Sequence, residues 1–308
     1  MRRLKIVLAI TLLFVTGLSH ADKLEEGVKA YAAGDYDAAV KILRPLADQG
    51  DVGAQFNLGI AYEMGHGVPK NNKEAVMWFR KAAEQGYARA QYKLGVAYEW
   101  GRGVPKNDKE AVMWYRKAAD QGDVDAQYNL GGEYAVMGLN APQHYDEAVK
   151  WFRKAAEQGH TDAQLTLGYA YFFGHYGVKQ DYEKAVNWYR KAAEQGNAFA
   201  QFTVGFAYHM GRGVPQNDEE AVNWFRKAAE QGDAEAQYNL GGAYAEGRGI
   251  AQDNVLAYML FSLAATRGEA QAIESRDKIQ KKMTPAEIAK SKELAAQWKS
   301  GAPLPTTY

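Results

Sequence analysis

The 308-residue sequence contains no cysteine. That removes disulfide frameworks, thiolate metal ligands, cysteine nucleophiles and a lipid-bearing N-terminal cysteine together. An excess of either charge is also missing, since 37 Lys and Arg stand against 37 Asp and Glu. Nucleic-acid binding needs a dense basic field to displace phosphate counterions, and the sequence has none. Histidine is sparse, and no two of His20, His66, His144, His160, His175 and His209 stand three or four residues apart. There is no His-Glu-x-x-His, no Gly-x-Ser-x-Gly, and no glycine loop ending in Gly-Lys-Ser or Gly-Lys-Thr, so metalloprotease, serine-hydrolase and phosphate-loop chemistry lack their carriers. The acidic residues fall mostly on repeated polar helix faces, as a solvated surface does. No catalytic residue, cofactor or metal is expected.

Long apolar runs are limited to one, from Ile6 to Leu18. Arg2, Arg3 and Lys5 precede it, and the small residues Ser19 and Ala21 follow at signal-peptidase spacing. The run is short for a membrane span, and the polar residues Asp22, Glu25 and Glu26 come directly after it. Residues 1–21 therefore read as a cleavable signal peptide cut after Ala21, with an uncleaved anchor as the competing reading. Cleavage removes three basic residues and leaves 34 against 37 acidic ones. The expectation is a periplasmic or secreted protein with no stable membrane insertion after cleavage.

What the sequence does have is a repeat. Ala-Gln-x-x-[Leu/Val]-Gly recurs with its glutamine at 55, 91, 127, 164, 201 and 237. A second motif, Glu74-Ala-Val-Met-Trp-Phe-Arg-Lys-Ala-Ala-Glu-Gln-Gly86, returns at 110–122, 147–159, 184–196 and 220–232. In the first motif Leu58, Ala61 and Tyr62 form one helical stripe, and in the second Ala75, Phe79, Ala82 and Ala83 form the matching one. Gly59 lies on the first stripe, where glycine costs roughly 1 kcal/mol against alanine. Its recurrence predicts that the Phe79 ring occupies the space a side chain would fill. Gln85-Gly86 ends the second helix, and Gly65-His-Gly-Val-Pro69 turns the chain between the two. A single pair cannot bury its stripe, so neighbouring pairs must stack. The expected fold is all-α, a right-handed superhelical solenoid of antiparallel helix pairs with about sixteen helices.

These motifs, with Gly-x-Gly-Val-Pro at 65–69, 101–105 and 211–215, resemble the Sel-like repeat (SLR) family, a sibling of the tetratricopeptide repeats. The resemblance covers residues 51–268 as six repeats, while Gly34–Val40 is closer to an ordinary tetratricopeptide pair capping the front, over 22–50. It implies a scaffold or adaptor that binds another protein of the envelope or of a host, with no shared active site. Some cysteine-rich relatives are linked to β-lactam binding; this chain lacks their paired cysteines. An envelope enzyme acting on cell-wall or β-lactam compounds is the alternative, and a purely structural spacer a third reading.

The same resemblance assigns a concave groove. Positions two before, two after and five after Leu58 and its equivalents would face it. The candidate binding residues on that basis are Phe56, Tyr92, Tyr128, Tyr169, Phe172, Phe202, Phe206, His209 and Tyr238. An aromatic at the first of these positions recurs in five of six repeats, either as core between neighbouring helices or as an exposed ladder. Phe172, Phe206 and His209 do not repeat, which favours exposure.

The ends and the middle depart from the pattern. Thr284-Pro-Ala-Glu287 is a capping box opening a helix to about Lys299, so residues 269–300 read as C-terminal capping helices and 301–308 as a flexible tail. The segments 134–146 and 174–180 lack the regular turn. They read either as displayed loops or as tolerated length drift.

Overall fold

A computed structural model describes residues 19–306. Sixteen helices and no strand occur among them. Nearly all of the expected signal peptide, residues 1–18, lies outside the described part, as do residues 307 and 308. The chain divides into two compact units, one ending at Asp123 and one beginning at Val124.

The first unit holds α1 (His20–Ala32), α2 (Tyr36–Asp48), α3 (Val52–Met64), α4 (Asn72–Glu84), α5 (Ala88–Trp100) and α6 (Asp108–Asp120). The second holds α7 (Val124–Gly138), α8 (His144–Glu157), α9 (Thr161–Phe173), α10 (Tyr182–Glu194), α11 (Ala198–Met210), α12 (Asp218–Glu230), α13 (Ala234–Glu246), α14 (Asn254–Thr266), α15 (Ala270–Gln280) and α16 (Pro285–Gln297). Within each unit every helix packs on the next in the chain as far as α15, and α16 packs back on α14, so both are α-solenoid stacks of helix pairs.

Each pair locks through a glycine. A Cβ placed on Gly59 would stand 2.6 Å from Phe79 Cδ1, and one on Gly168 would stand 2.8 Å from Tyr189 Cδ1. The ring fills the missing side chain, as the sequence predicted, and fully buried alanines such as Ala82 and Ala192 let the helices close. The second glycine of Gly-x-Gly has a different task. A side chain on Gly67 would overlap the Tyr36 carbonyl at the start of α2, and Gly213 faces the Tyr182 carbonyl in the same way. The turn is thus also a contact with the preceding pair.

Two polar series tie successive pairs together. Arg44 Nη2 donates to the Tyr62 hydroxyl at 2.7 Å, and Arg80 and Arg190 repeat this with Tyr98 and Tyr208. The buried motif glutamine donates backwards and accepts within its own repeat. Gln164 Nε2 donates to the Ala156 carbonyl, and Gln164 Oε1 accepts from Gln195 Nε2 at 2.7 Å. A buried amide satisfied at both ends avoids the penalty of an orphaned polar group.

The two irregular segments compensate each other. Helix α7 runs on to Gly138, whose missing side chain is occupied by the Tyr145 ring. The extra residue in the later turn places Tyr176, at φ 53°, against Tyr145 (5.8 Å between centroids) and Phe152 (5.9 Å). A second aromatic contact therefore replaces the lost glycine turn.

The C-terminus corrects one expectation. The tail from residue 301 is not loose in its described part, because Leu304 is only 5% exposed and packs into the last core cluster. Gly301 N donates to the Glu230 carbonyl, Leu304 N to Glu230 Oε1, and Ser300 Oγ to the Gln231 carbonyl. An apolar anchor and three hydrogen bonds outweigh the freedom of a short tail. Before it, the Thr284–Glu287 capping box opens α16, which brings Ile288, Leu294 and Trp298 to the same cluster.

Candidate protein-binding face

The first helices of the repeats set out the candidate residues on a common frame. Phe56, Tyr92, Tyr128, Phe202 and Tyr238 are all half-buried. Each lies on the ring that fills the glycine slot below it: Phe56 on Phe79 (5.9 Å), Tyr128 on Phe152 (5.7 Å), Tyr238 on Phe261 (5.7 Å). The ladder is thus an outer layer of rings on an inner layer. Tyr128 is further covered by His160, stacked at 4.6 Å.

The second unit carries the exposed part. Tyr169 is 44% exposed and Phe173 is 54% exposed. Their rings lie 4.7 Å apart, and His175 stacks on Tyr169 at 5.2 Å. Phe172 is half-buried, edge-on to both Phe173 (4.8 Å) and Tyr182 (5.0 Å). Tyr176 borders the cluster, and burial, followed by the neighbouring Tyr169, Tyr128 and Tyr145, pushes its phenol pKa up. Four aromatic side chains of one helix end and its turn therefore meet at the surface.

Phe172, Phe206 and His209 are all half-buried, against the expectation of exposure. Phe206 is half-buried and lies 6.1 Å from Phe202. His209 Nδ1 is 2.9 Å from Asp218 Oδ1, and its Nε2 is 3.2 Å from Arg248 Nη1. With Nδ1–H donating to the carboxylate, Nε2 is left to accept from the guanidinium. The imidazole is a bridge between an acid and a base on neighbouring elements, not a free groove residue.

Sequence reasoning missed the most exposed apolar series. Met64 and Trp100 in the first unit, and Val136, Phe173 and Met210 in the second, are all exposed. Each stands nine positions after its motif glutamine, at or near the end of the first helix. The frame borrowed from tetratricopeptides stops one residue short of them. Their regular spacing was the available signal.

No helix among the described residues is long and apolar enough to cross a membrane. Nor does any group of three or more His, Asp or Glu side chains among them stand where it could hold a metal ion.

The repeats match the Sel1 repeat family model at residues 52–87, 88–123, 124–160, 161–197, 198–233 and 234–269. The chain belongs to the Sel1 repeat family. It is similar in structure to a Sel1 repeat protein from Oxalobacter formigenes, with 36% identity and a TM-score of 0.66 over 79% of this chain and 99% of that one. It is also similar to a protective antigen, of SLR fold, present in uropathogenic Escherichia coli strains. That match has 31% identity and a TM-score of 0.54 over 91% of this chain and 68% of the other. No curated protein matches the chain. Sel1 repeat proteins generally act as scaffolds for protein–protein interaction.

Proposed function

We propose that this Sel1 repeat protein is exported and binds an extended segment of another protein across the first-helix face of its second unit, the side where a groove is expected. The observation that carries this is the surface cluster of Tyr169, Phe173 and His175. Water penalises a contiguous apolar patch, and aromatic rings give up little entropy when a partner covers them. Phe172, Phe202, Phe206 and Tyr238 extend the face on either side, half-buried and held by the rings beneath. In the first unit Phe56 and Tyr92 continue the same positions.

A photoreactive benzoylphenylalanine at position 173, in cells of the source organism, tests the face. The expected result is a discrete crosslinked protein, lost when Tyr169→Ser is combined with the probe. A folded, abundant protein that gives no adduct in the envelope or culture fluid would sink the reading. Export is tested by the N-terminus of the accumulated protein. Asp22 as first residue, outside the cytoplasm, is expected; an intact Met1 in the cytoplasm overturns it. Cleavage there would remove Ser19, which caps α1, and His20, which lies 3.0 Å from Asp51.

A further inference from the structure

The first-helix face of the second unit ends in a cleft of about 330 Å³ between α13 and α15. Tyr238 and Phe261 line it on the apolar side, and Arg248, Lys278 and Lys282 bring cations to it. Arg248 is oriented rather than free. Its Nε lies 2.8 Å from a Glu246 carboxylate oxygen, and its Nη1 is held by His209, which Asp218 fixes from behind. The remaining nitrogen, Nη2, lies over Gly242, 3.9 Å from where a Cβ would stand, and Gly242 is itself part of the lining. A Cβ there would be in ordinary van der Waals contact with the guanidinium.

Charge fixes the kind of ligand. Glu246 pairs with Arg248, and Glu274 pairs with Lys278 at 2.6 Å. Among the described residues Lys282 makes no ion pair, so it is the one cation lining the cleft without a carboxylate partner. A guanidinium edge with an ammonium beside it is a good receptor for a planar carboxylate, and the adjoining rings suit the apolar stem of an amino acid.

We infer that this cleft is a carboxylate subsite for the bound protein segment, taking either its C-terminal carboxylate or an Asp or Glu side chain. The inference rests on the first-helix face being the binding face. It adds an end point: α15 closes the run of rings, and the segment's negative charge is read by Arg248 and Lys282.

Three immobilised random hexapeptide pools test it with the purified protein. One pool has a free C-terminal carboxylate and no Asp or Glu. A second is the same with an amidated terminus. A third is amidated and contains Asp and Glu. The subsite predicts at least fivefold more retention on the first or the third pool than on the second, and which of the two wins identifies the source of the carboxylate. Lys282→Glu should bring retention down to that of the neutral pool. Because Lys282 is exposed and unpaired, this variant remains informative if Arg248→Met disturbs the His209 bridge; unchanged melting temperature checks its fold. Equal retention on all pools, retention indifferent to Lys282→Glu, or no retention at all overturns the subsite. Equal retention that is lost in Tyr169→Ser would leave the aromatic face standing without it, and crosslinking from position 173 judges that face independently.

Discussion

Gly205 and the Phe225 ring occupy one another's space: a Cβ at position 205 would stand 2.8 Å from the ring's Cδ1 and 3.2 Å from the Ala221 carbonyl oxygen. One neighbour is a packed ring and the other is backbone, so neither can give way cheaply. Gly205→Ala should therefore cost about 1–3 kcal/mol through overpacking, despite alanine's better helix propensity. Gly132 in α7 is the control, since nothing lies within 4 Å of its Cβ position. There the same change should raise stability by about 0.5–1 kcal/mol. Melting temperatures of both variants decide it; shifts of the same sign would refute the interlock.

The glutamine series makes a second, differential prediction. Gln164 and Gln237 both donate to an alanine carbonyl one helix back, at 3.0 and 3.1 Å. Only Gln164 also accepts from a glutamine in its own repeat. The equivalent position in the last repeat is Arg267, which lies over Trp298 instead, and Gln237 Oε1 is buried with no hydrogen-bond partner among the described residues. Replacing Gln164 by Met should thus cost about 1 kcal/mol more than replacing Gln237 by Met, the worth of one buried hydrogen bond. Chemical denaturation of the two variants measures the difference, and equal losses would show that the Gln–Gln bond contributes nothing.

How much of this was written in the sequence depends on whether a residue's partner recurs with it. Gly59 and Phe79 repeat in step, so their contact was legible before any coordinates. The same holds for the helix pairs and for the capping box at Thr284. The exposed ring of Phe173 was not found, because the borrowed groove frame ended at Phe172. His209 looked like a free histidine because its partners, Asp218 and Arg248, lie in the next helix and the next repeat. The docking of Leu304 depends on Glu230, more than seventy residues away, and no local pattern encodes that. The half-buried state of Phe202 and Tyr238 was undecidable from spacing alone, since rings in either layer share one period.

The paired irregular segments give a third prediction. Tyr145, in the first turn of α8, and Tyr176, in the turn after α9, belong to the two segments that break the repeat, and their rings meet in the second unit. If one compensates the other, their truncations must not add. Tyr145→Ala and Tyr176→Ala together should fall short of the sum of the singles by about 0.5–1.5 kcal/mol. Strict additivity in a double-mutant cycle would mean that the two loops drifted independently.

Alkaline stability supplies the last prediction. Tyr189 fills the slot of Gly168, is 3% exposed, and burial pushes its phenol up to about 12. An unfolded tyrosine ionises near 10, so between these values the folded chain holds a proton that the unfolded chain releases. Stability from this group is complete below about pH 10 and is lost as pH rises toward 12. The full difference amounts to about 2–3 kcal/mol. Phenylalanine at 189 keeps the ring in the glycine slot and removes the titrating group. Tyr189→Phe should therefore melt close to wild type at pH 8 and progressively above it from pH 10 upward, because only the wild type gains by unfolding and ionising. Tyrosinate absorbance followed through the melt gives the second readout, with one fewer phenol ionising on unfolding in the variant. Parallel melting curves for the two proteins from pH 8 to 12 would show that the Tyr189 phenol is not shielded by the helix pair it locks.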